Sequence, residues 1–194
     1  MFVFCGLQED FVRVITGKAR GKRLATVEGL DVRPTVDRVK EAVFSMIHFE
    51  IENAVVLDLF AGSGQLGIEA LSRGARYAVF VDNGRSSQAV ILENLRHTGL
   101  TKDARVVSMD ARAYLKTETR TFDFAFLDPP YASGLIGEVL PELVKRMNPT
   151  GAIICETLKT IDLPESAGDF SIYREYRYGR TKVIVYRAKD VTEI

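Results

Sequence analysis

Cysteine and histidine are scarce in this chain. Cys5 and Cys155 lie far apart with no metal-ligand spacing, and His48 and His97 have no companions. Neither a disulfide framework nor a zinc site is expected, no metal is implied, and a reducing cytoplasm is the default setting. Long apolar runs are lacking too, since none approaches the ~20 residues of a membrane span. The opening MFVFCGL is apolar, yet it has no basic n-region and Glu9 and Asp10 follow closely, which argues against a signal peptide. Residues 1–11 read as a loosely attached leader. Neither sign of charge is in excess: 26 basic residues face 26 acidic ones, so the chain is no global polycation. Repeats and low-complexity linkers are absent as well. At 194 residues, what remains is one sizeable core with room for a small appendage.

Residues 55–75, VVLDLFAGSGQLGIEALSRGA, organise the rest. Val55 to Leu59 is almost wholly apolar, as a strand buried on both faces of a parallel sheet requires. The run breaks at Phe60-Ala61-Gly62-Ser63-Gly64 and resumes with helical spacing at Leu66, Ile68, Ala70 and Leu71, ending near Gly74. Strand, glycine turn, helix is a geometry that brings backbone N–H groups up to a ligand. The string Gly62-x-Gly64-x-x-Gly67 also fits a dinucleotide fingerprint, so the turn alone leaves the ligand open. Asp58 favours a cationic ligand over a pyrophosphate, and S-adenosylmethionine offers both a sulfonium and an ammonium. The blander reading of Asp58 is a cap that accepts loop amides, which is compatible with either ligand.

Charge is unevenly spread ahead of this stretch. Between Arg13 and Lys40 stand eight basic residues against three acidic ones. Val12 to Thr16 and Leu24 to Val27 read as short strands joined by the basic turn GKARGK, so Arg20, Lys22 and Arg23 are candidates to contact a polyanionic substrate. A solvated loop is the plainer alternative. In RPTVDRVKEAVFSMI, Pro34 stops what precedes it and Thr35 is a good N-cap. Val36, Val39, Val43, Phe44 and Ile47 share one helical face, with Arg38, Lys40 and Glu41 on the other. The start of this helix, with Arg33, Thr35 and Arg38, belongs to the same candidate substrate surface.

After the glycine loop, the strand Tyr77 to Val81 ends in Asp82-Asn83. Asp82 stands twenty positions beyond Gly62, the separation of an acid that binds ribose hydroxyls in a doubly wound fold. A helix over Arg85–Thr98 follows, with Ala89, Ile91, Leu92 and Leu95 as its apolar positions and Gly99 ending it. Ala104 to Met109 is a third strand with Asp110-Ala111 at its carboxyl end, where ligands bind in such folds. The strand Phe122 to Leu127 then runs into Asp128-Pro129-Pro130-Tyr131. The prolines donate no N–H and hold their carbonyls fixed as acceptors. With the Asp128 carboxylate and a flat Tyr131 ring, they suit an exocyclic amine on a stacked base, whose nitrogen becomes more nucleophilic as its hydrogens are accepted. The bland option is an Asp-Pro turn with a surface tyrosine. A fifth strand, IICE, and a hairpin over Phe170–Tyr178 and Lys182–Arg187 close the sheet, with Arg174, Arg177 and Arg180 either on a basic surface or simply solvated.

These segments resemble the class I S-adenosylmethionine-dependent methyltransferases, and DPPY is similar to the signature of those acting on nucleobase amines. More narrowly, RVITGKARGKRL, RPTVDRVKEAVFSMI, LDLFAGSGQLGIEALSRGA, DPPY and YGRTKV resemble the bacterial 16S ribosomal RNA guanine-N2 methyltransferases of the RsmD type. The resemblance implies a doubly wound α/β sheet, Rossmann-like and mostly parallel, with an antiparallel C-terminal hairpin. It divides the chain into the leader, an N-terminal extension over residues 12–50 and a methyltransferase domain over 51–190. It implies S-adenosylmethionine as cofactor, with Asp58, Phe60, Ala61, Gly62, Ser63 and Gly64 at its methionine part. Asp82 would meet its ribose, Asp110 with Ala111 its adenine, and Asn83 would lie on the same cofactor side. Asp128, Pro129, Pro130 and Tyr131 would hold the target guanine. The family's acidic-basic-acidic stretch after the second strand is here Asp82-Asn83-Gly84-Arg85, which leaves the role of Asn83 open. The partner implied is 16S ribosomal RNA, naked or in a small-subunit assembly particle, acted on by a monomer. Rival readings are a DNA or other RNA adenine or cytosine amino-methyltransferase, an NAD-dependent oxidoreductase that leaves DPPY idle, and a non-catalytic RNA-binding module.

Overall fold

A computed structural model describes residues 12–27, 37–130 and 134–189. The expected leader, Arg33, Pro34, Thr35, Val36 and Tyr131 lie outside the described residues. The architecture is an eight-stranded sheet of order β3-β2-β1-β4-β5-β8-β7-β6. Its strands are β1 (Val55–Leu59), β2 (Tyr77–Asp82), β3 (Ala104–Ser108), β4 (Phe122–Leu127), β5 (Met147–Leu158), β6 (Ser166–Ala167), β7 (Phe170–Tyr178) and β8 (Thr181–Ala188). The first five run parallel; β8 is antiparallel to β5 and β7 antiparallel to β8. The mostly parallel, doubly wound sheet with an antiparallel end is thus the observed fold.

Strand β1 is central, with Asp58 opposite Phe80 on one side and Phe126 on the other. All five of its residues are buried, because both faces of the sheet are covered. Alternate side chains feed two cores. Val56, Phe80, Phe124, Phe126 and Ile154 pack with α1 (Asp37–Met46), α2 (Gln65–Ser72), α3 (Arg85–Thr98) and the N-terminal segment. Leu57, Leu59, Val81, Leu127 and Ile153 pack with α4 (Ala111–Thr117) and α5 (Leu135–Leu143). Phe44 of α1 meets Phe126 with ring centroids 5.3 Å apart.

All eight residues of α2 are buried, including Glu69 and Ser72. The N-terminal segment is the reason: it lies on the outer face of this helix. Glu69 accepts the Ile15 and Thr16 amides at 2.7 and 3.0 Å, and the Arg73 guanidinium at 2.7 Å. Ser72 accepts the Ala19 amide and donates to the Thr16 carbonyl. At Gly17 a Cβ would stand 1.8 Å from the Ser72 carbonyl oxygen, and φ is +86°, so only glycine fits. Asn94 of α3 binds both backbone groups of Ala25, at 2.8 and 3.0 Å.

This docking corrects three details of the sequence reading. The two N-terminal strands reduce to one bridge, Arg13 to Arg23, because the next amides along the arms go to Glu69 and Asn94 rather than to a partner strand. Lys40 is not on a solvated face; it is fully buried and donates from Nζ to the Arg13 carbonyl at 2.6 Å. On α3, Ala89 and Leu92 are exposed, while Ser87, Asn94 and Thr98 join Ile91 and Leu95 on the buried face. Helices α4 and α5 were not foreseen.

Candidate active site

The carboxyl ends of β1 to β4 open onto one cavity of about 990 Å³. Asp58 reaches it from β1, Asp82 from the end of β2, Asp110 from just past β3 and Asp128 from just past β4. Phe60, Ala61, Gly62 and Ser63 form its floor, and Asn83 and Ala111 complete the expected cofactor side. Pro129 and Pro130 stand with Asp128 on the other side, Pro129 buried and Pro130 exposed. Twelve of the expected residues therefore share one cavity. Gly64 does not line it: in the left-handed region at φ 76°, it turns the chain into α2, with Ile91 and Phe80 close behind.

The loop is held by its own backbone. The Phe60 and Ala61 amides both donate to the Val81 carbonyl at 3.0 Å, and Phe60 sits at φ 72°. A left-handed aromatic residue is a strained one, which costs of order 1–3 kcal/mol and persists only where its surroundings fix it. Asn94 adds a hydrogen bond to the Ser63 carbonyl at 2.9 Å, so one α3 side chain braces both this loop and the N-terminal segment. Nothing in the sequence singled out Asn94, since its two targets are distant in the chain.

Each carboxylate has a defined setting. Asp58 is buried and accepts the Gly67 amide at 2.9 Å. Burial pushes its pKa up to about 7; the Gly67 hydrogen bond opposes that rise, and the Asp82 charge adds to it. Asp82 accepts the Gly62 amide on one oxygen and the Gly84 amide on the other, both at 2.8 Å. Its bidentate grip locks the glycine loop to the end of β2. Asp110 caps α4 through the Arg112 and Ala113 amides and pairs with the Arg112 side chain, which holds its pKa below the usual carboxylate range. Each Asp82 oxygen keeps further lone-pair capacity beyond its one bond, whereas one Asp110 oxygen already accepts three.

The expected substrate residues are placed differently. Arg20 is exposed in the Gly17–Gly21 turn, and Arg23 is exposed beside it. Lys22 donates from Nζ to the His97 carbonyl at 2.6 Å, which satisfies the carboxyl end of α3. This turn sits against Ser72 and His97, at the far ends of helices whose amino ends face the cavity, about 10 to 20 Å away along their axes. Arg38 is exposed on α1, near Tyr178. Sequence reasoning missed Met109, Leu135, Leu158 and Thr181, which also line the cavity. Among the described residues, no group of three or more His, Cys, Asp or Glu side chains is placed to hold a metal ion. No helix among them is long and apolar enough to cross a membrane.

Comparison with known proteins places this geometry in a family. Residues 12–187 match the family described as conserved hypothetical protein 95. The chain is 33% identical to the ribosomal RNA small subunit methyltransferase D of Escherichia coli strain K12, over 91% of this chain and 89% of that protein. The protein of the same name from Haemophilus influenzae is 35% identical, with 76% of this chain and 79% of that one covered. Among solved structures, yhhF from Escherichia coli superposes with a TM-score of 0.82 at 34% identity, covering 91% of this chain and 97% of that one. The chain belongs to the conserved hypothetical protein 95 family, that of the ribosomal RNA small subunit methyltransferases D.

Proposed function

We propose that this protein is an S-adenosylmethionine-dependent methyltransferase that methylates the exocyclic N2 of a guanine in 16S ribosomal RNA. One observation carries the reading: a glycine loop with three carboxylates and the Asp128-Pro129-Pro130 turn face each other across a single cavity. The names of the relatives, ribosomal RNA small subunit methyltransferase D, support the substrate class.

The cavity fits the cofactor. Its volume of about 990 Å³ lies at the upper end of the ~300–1,000 Å³ range of small-molecule sites. Gly62, at φ +54°, would direct a Cβ into open space, so the bare Cα leaves room for close approach. Asp58 is a buried acid whose ionisation a neighbouring ammonium would favour. In this reading Asp58 and Phe60 to Gly64 hold or support the methionine part. Asp82 and Asn83 meet the ribose, and Asp110 and Ala111 the adenine. When bound, S-adenosylmethionine supplies an electrophilic methyl group on a sulfonium.

The chain's part is to position the acceptor. Asp128 and the Pro129 carbonyl accept the two amine hydrogens, which draws the nitrogen lone pair out of the ring and aims it across the cavity. The two prolines keep that turn from relaxing. A guanine inside RNA structure must turn out of its stack to reach them. Tyr131 is the ring proposed to stack on it.

The test is methyl transfer from labelled S-adenosylmethionine to small-subunit RNA, naked and protein-bound, followed by nucleoside analysis. The expected product is N2-methylguanosine, with the rate reduced on the order of 10²-fold or more in Asp128→Ala. Comparison of the two RNA forms identifies the preferred substrate state. Label in adenosine, in DNA or nowhere, despite cofactor binding, would sink the guanine assignment.

A further inference from the structure

The charged residues of the cavity wall are acidic but for one. Asp58, Asp82, Asp110 and Asp128 line it, and Arg180 is its single cationic lining residue among the described ones. Arg180 belongs to YGRTKV, a segment that no step above uses. We propose that Arg180 binds a phosphate of the RNA backbone beside the target guanosine, and so seats the substrate over Asp128. The inference rests on the RNA methyltransferase reading and deepens it.

Three observations support this role. The first is placement. Sheet order runs β1-β4-β5-β8, so the β7–β8 turn lies beyond Asp128 and away from the glycine loop. Leu158 pairs with Thr181, three residues past Cys155, which is itself opposite Leu127. Arg180 therefore stands about 10 Å further out along the strands than Asp128, at the mouth on the substrate side. The second is rigidity. Tyr178 and Thr181 form the closing pair of the hairpin, Gly179 takes φ +48°, and the Arg180 carbonyl accepts the Lys159 amide at 3.1 Å. The backbone under the guanidinium is held from both sides while the side chain stays exposed.

The third is that neighbouring cations have protein partners. Arg177 pairs with Glu175 at 2.7 Å, and Lys182 is buried between Glu175 and Asp162. Arg174 lies over the Tyr173 ring. Among the described residues, no acid pairs with Arg180. An unpaired guanidinium above an acidic cavity is poorly placed to hold the cofactor's positive groups, and well placed for a phosphodiester.

The experiment compares wild type with Arg180→Ala and Arg180→Lys. It measures kcat and KM for the small-subunit RNA, the salt dependence of RNA binding, and the affinity for S-adenosylhomocysteine. Arg180→Ala should raise the RNA KM on the order of tenfold with a smaller effect on kcat. The slope of log affinity against log salt should shrink by about 0.7 to 0.9, the release for one phosphate contact. Arg180→Lys should restore the slope and part of the KM. S-adenosylhomocysteine should bind all three proteins equally. An unchanged KM and slope in Arg180→Ala overturns the proposal, as does a loss confined to S-adenosylhomocysteine affinity, which would assign Arg180 to the cofactor carboxylate. Wild type that transfers no methyl to RNA overturns the function itself and Arg180's role with it.

Discussion

Asp58 is an acid whose surroundings resist its ionisation, and that makes it a pH-sensitive position. Its pKa rises from 3.8 to about 7 on folding, so the fold favours the neutral form. The stability that this group contributes is complete below pH 3.8 and is lost as pH climbs through about 7. Thermal unfolding of the ligand-free protein across that window should show the decline, and Asp58→Asn should flatten it. In the proposed complex cofactor binding runs the other way, because an ammonium beside Asp58 would favour the carboxylate. Affinity for S-adenosylmethionine should increase with pH up to about 7, with proton uptake by buffer detectable in calorimetry, and Asp58→Asn should lose both the affinity and the trend. A flat wild-type profile would mean that no cation meets Asp58. Cys155 is a contrasting case: buried and without an activating partner, its thiol pKa is pushed up and it stays inert. In a Cys5→Ser background it should resist alkylation until the protein unfolds.

At the scale of elements, α2 is the joint between the glycine loop at its start and the N-terminal segment along its side. Glu69 holds that joint. Glu69→Ala would strand two backbone amides and remove the acid paired with Arg73, which keeps only Thr16 Oγ1 and the Phe44 ring, at a cost of about 3 kcal/mol or more, measured by denaturant titration. Gly17→Ala should lift the turn from Ser72; loss of hydrogen-exchange protection at the Lys18 and Ala19 amides, with the sheet unchanged, is the expected signature. This joint also marks where the sequence stopped being legible. Strand β1 and helices α2 and α3 could be read from local signals, the apolar runs and the glycines that follow the two helices, Gly74 and Gly99. The acids closing β1 to β4 were legible for the same reason. Helix α4 is seven residues long with only three buried, too short for a period to stand out, whereas α5 spaces Ile136, Val139, Leu140 and Leu143 at helical intervals, a local signal that the sequence reading passed over and that Pro141 interrupts. Lys40 reads as a surface residue until the Arg13 carbonyl, 27 positions away, gives it a partner. Arg180 and Leu158 reach the cavity only through a strand order that no local pattern encodes.

Across the whole molecule, the segment that comes first in the chain depends on partners made much later. Ile15 bonds across 54 positions to Glu69, Ala25 across 69 to Asn94, and Lys22 across 75 to His97. At ~5–20 residues per second, roughly 4 to 15 s of synthesis separate Lys22 from His97. Until α3 is made, the basic amino-terminal segment has at most α1 and α2 to settle on and lacks its Asn94 and His97 partners, which leaves its second arm open to proteases and to chaperones. A chain stalled before α3 emerges should be cut there, and one stalled after it should not. The last contacts that build the far end of the sheet then close a molecule whose beginning has already been waiting, so the order of translation and the order of assembly are opposed at this end of the protein.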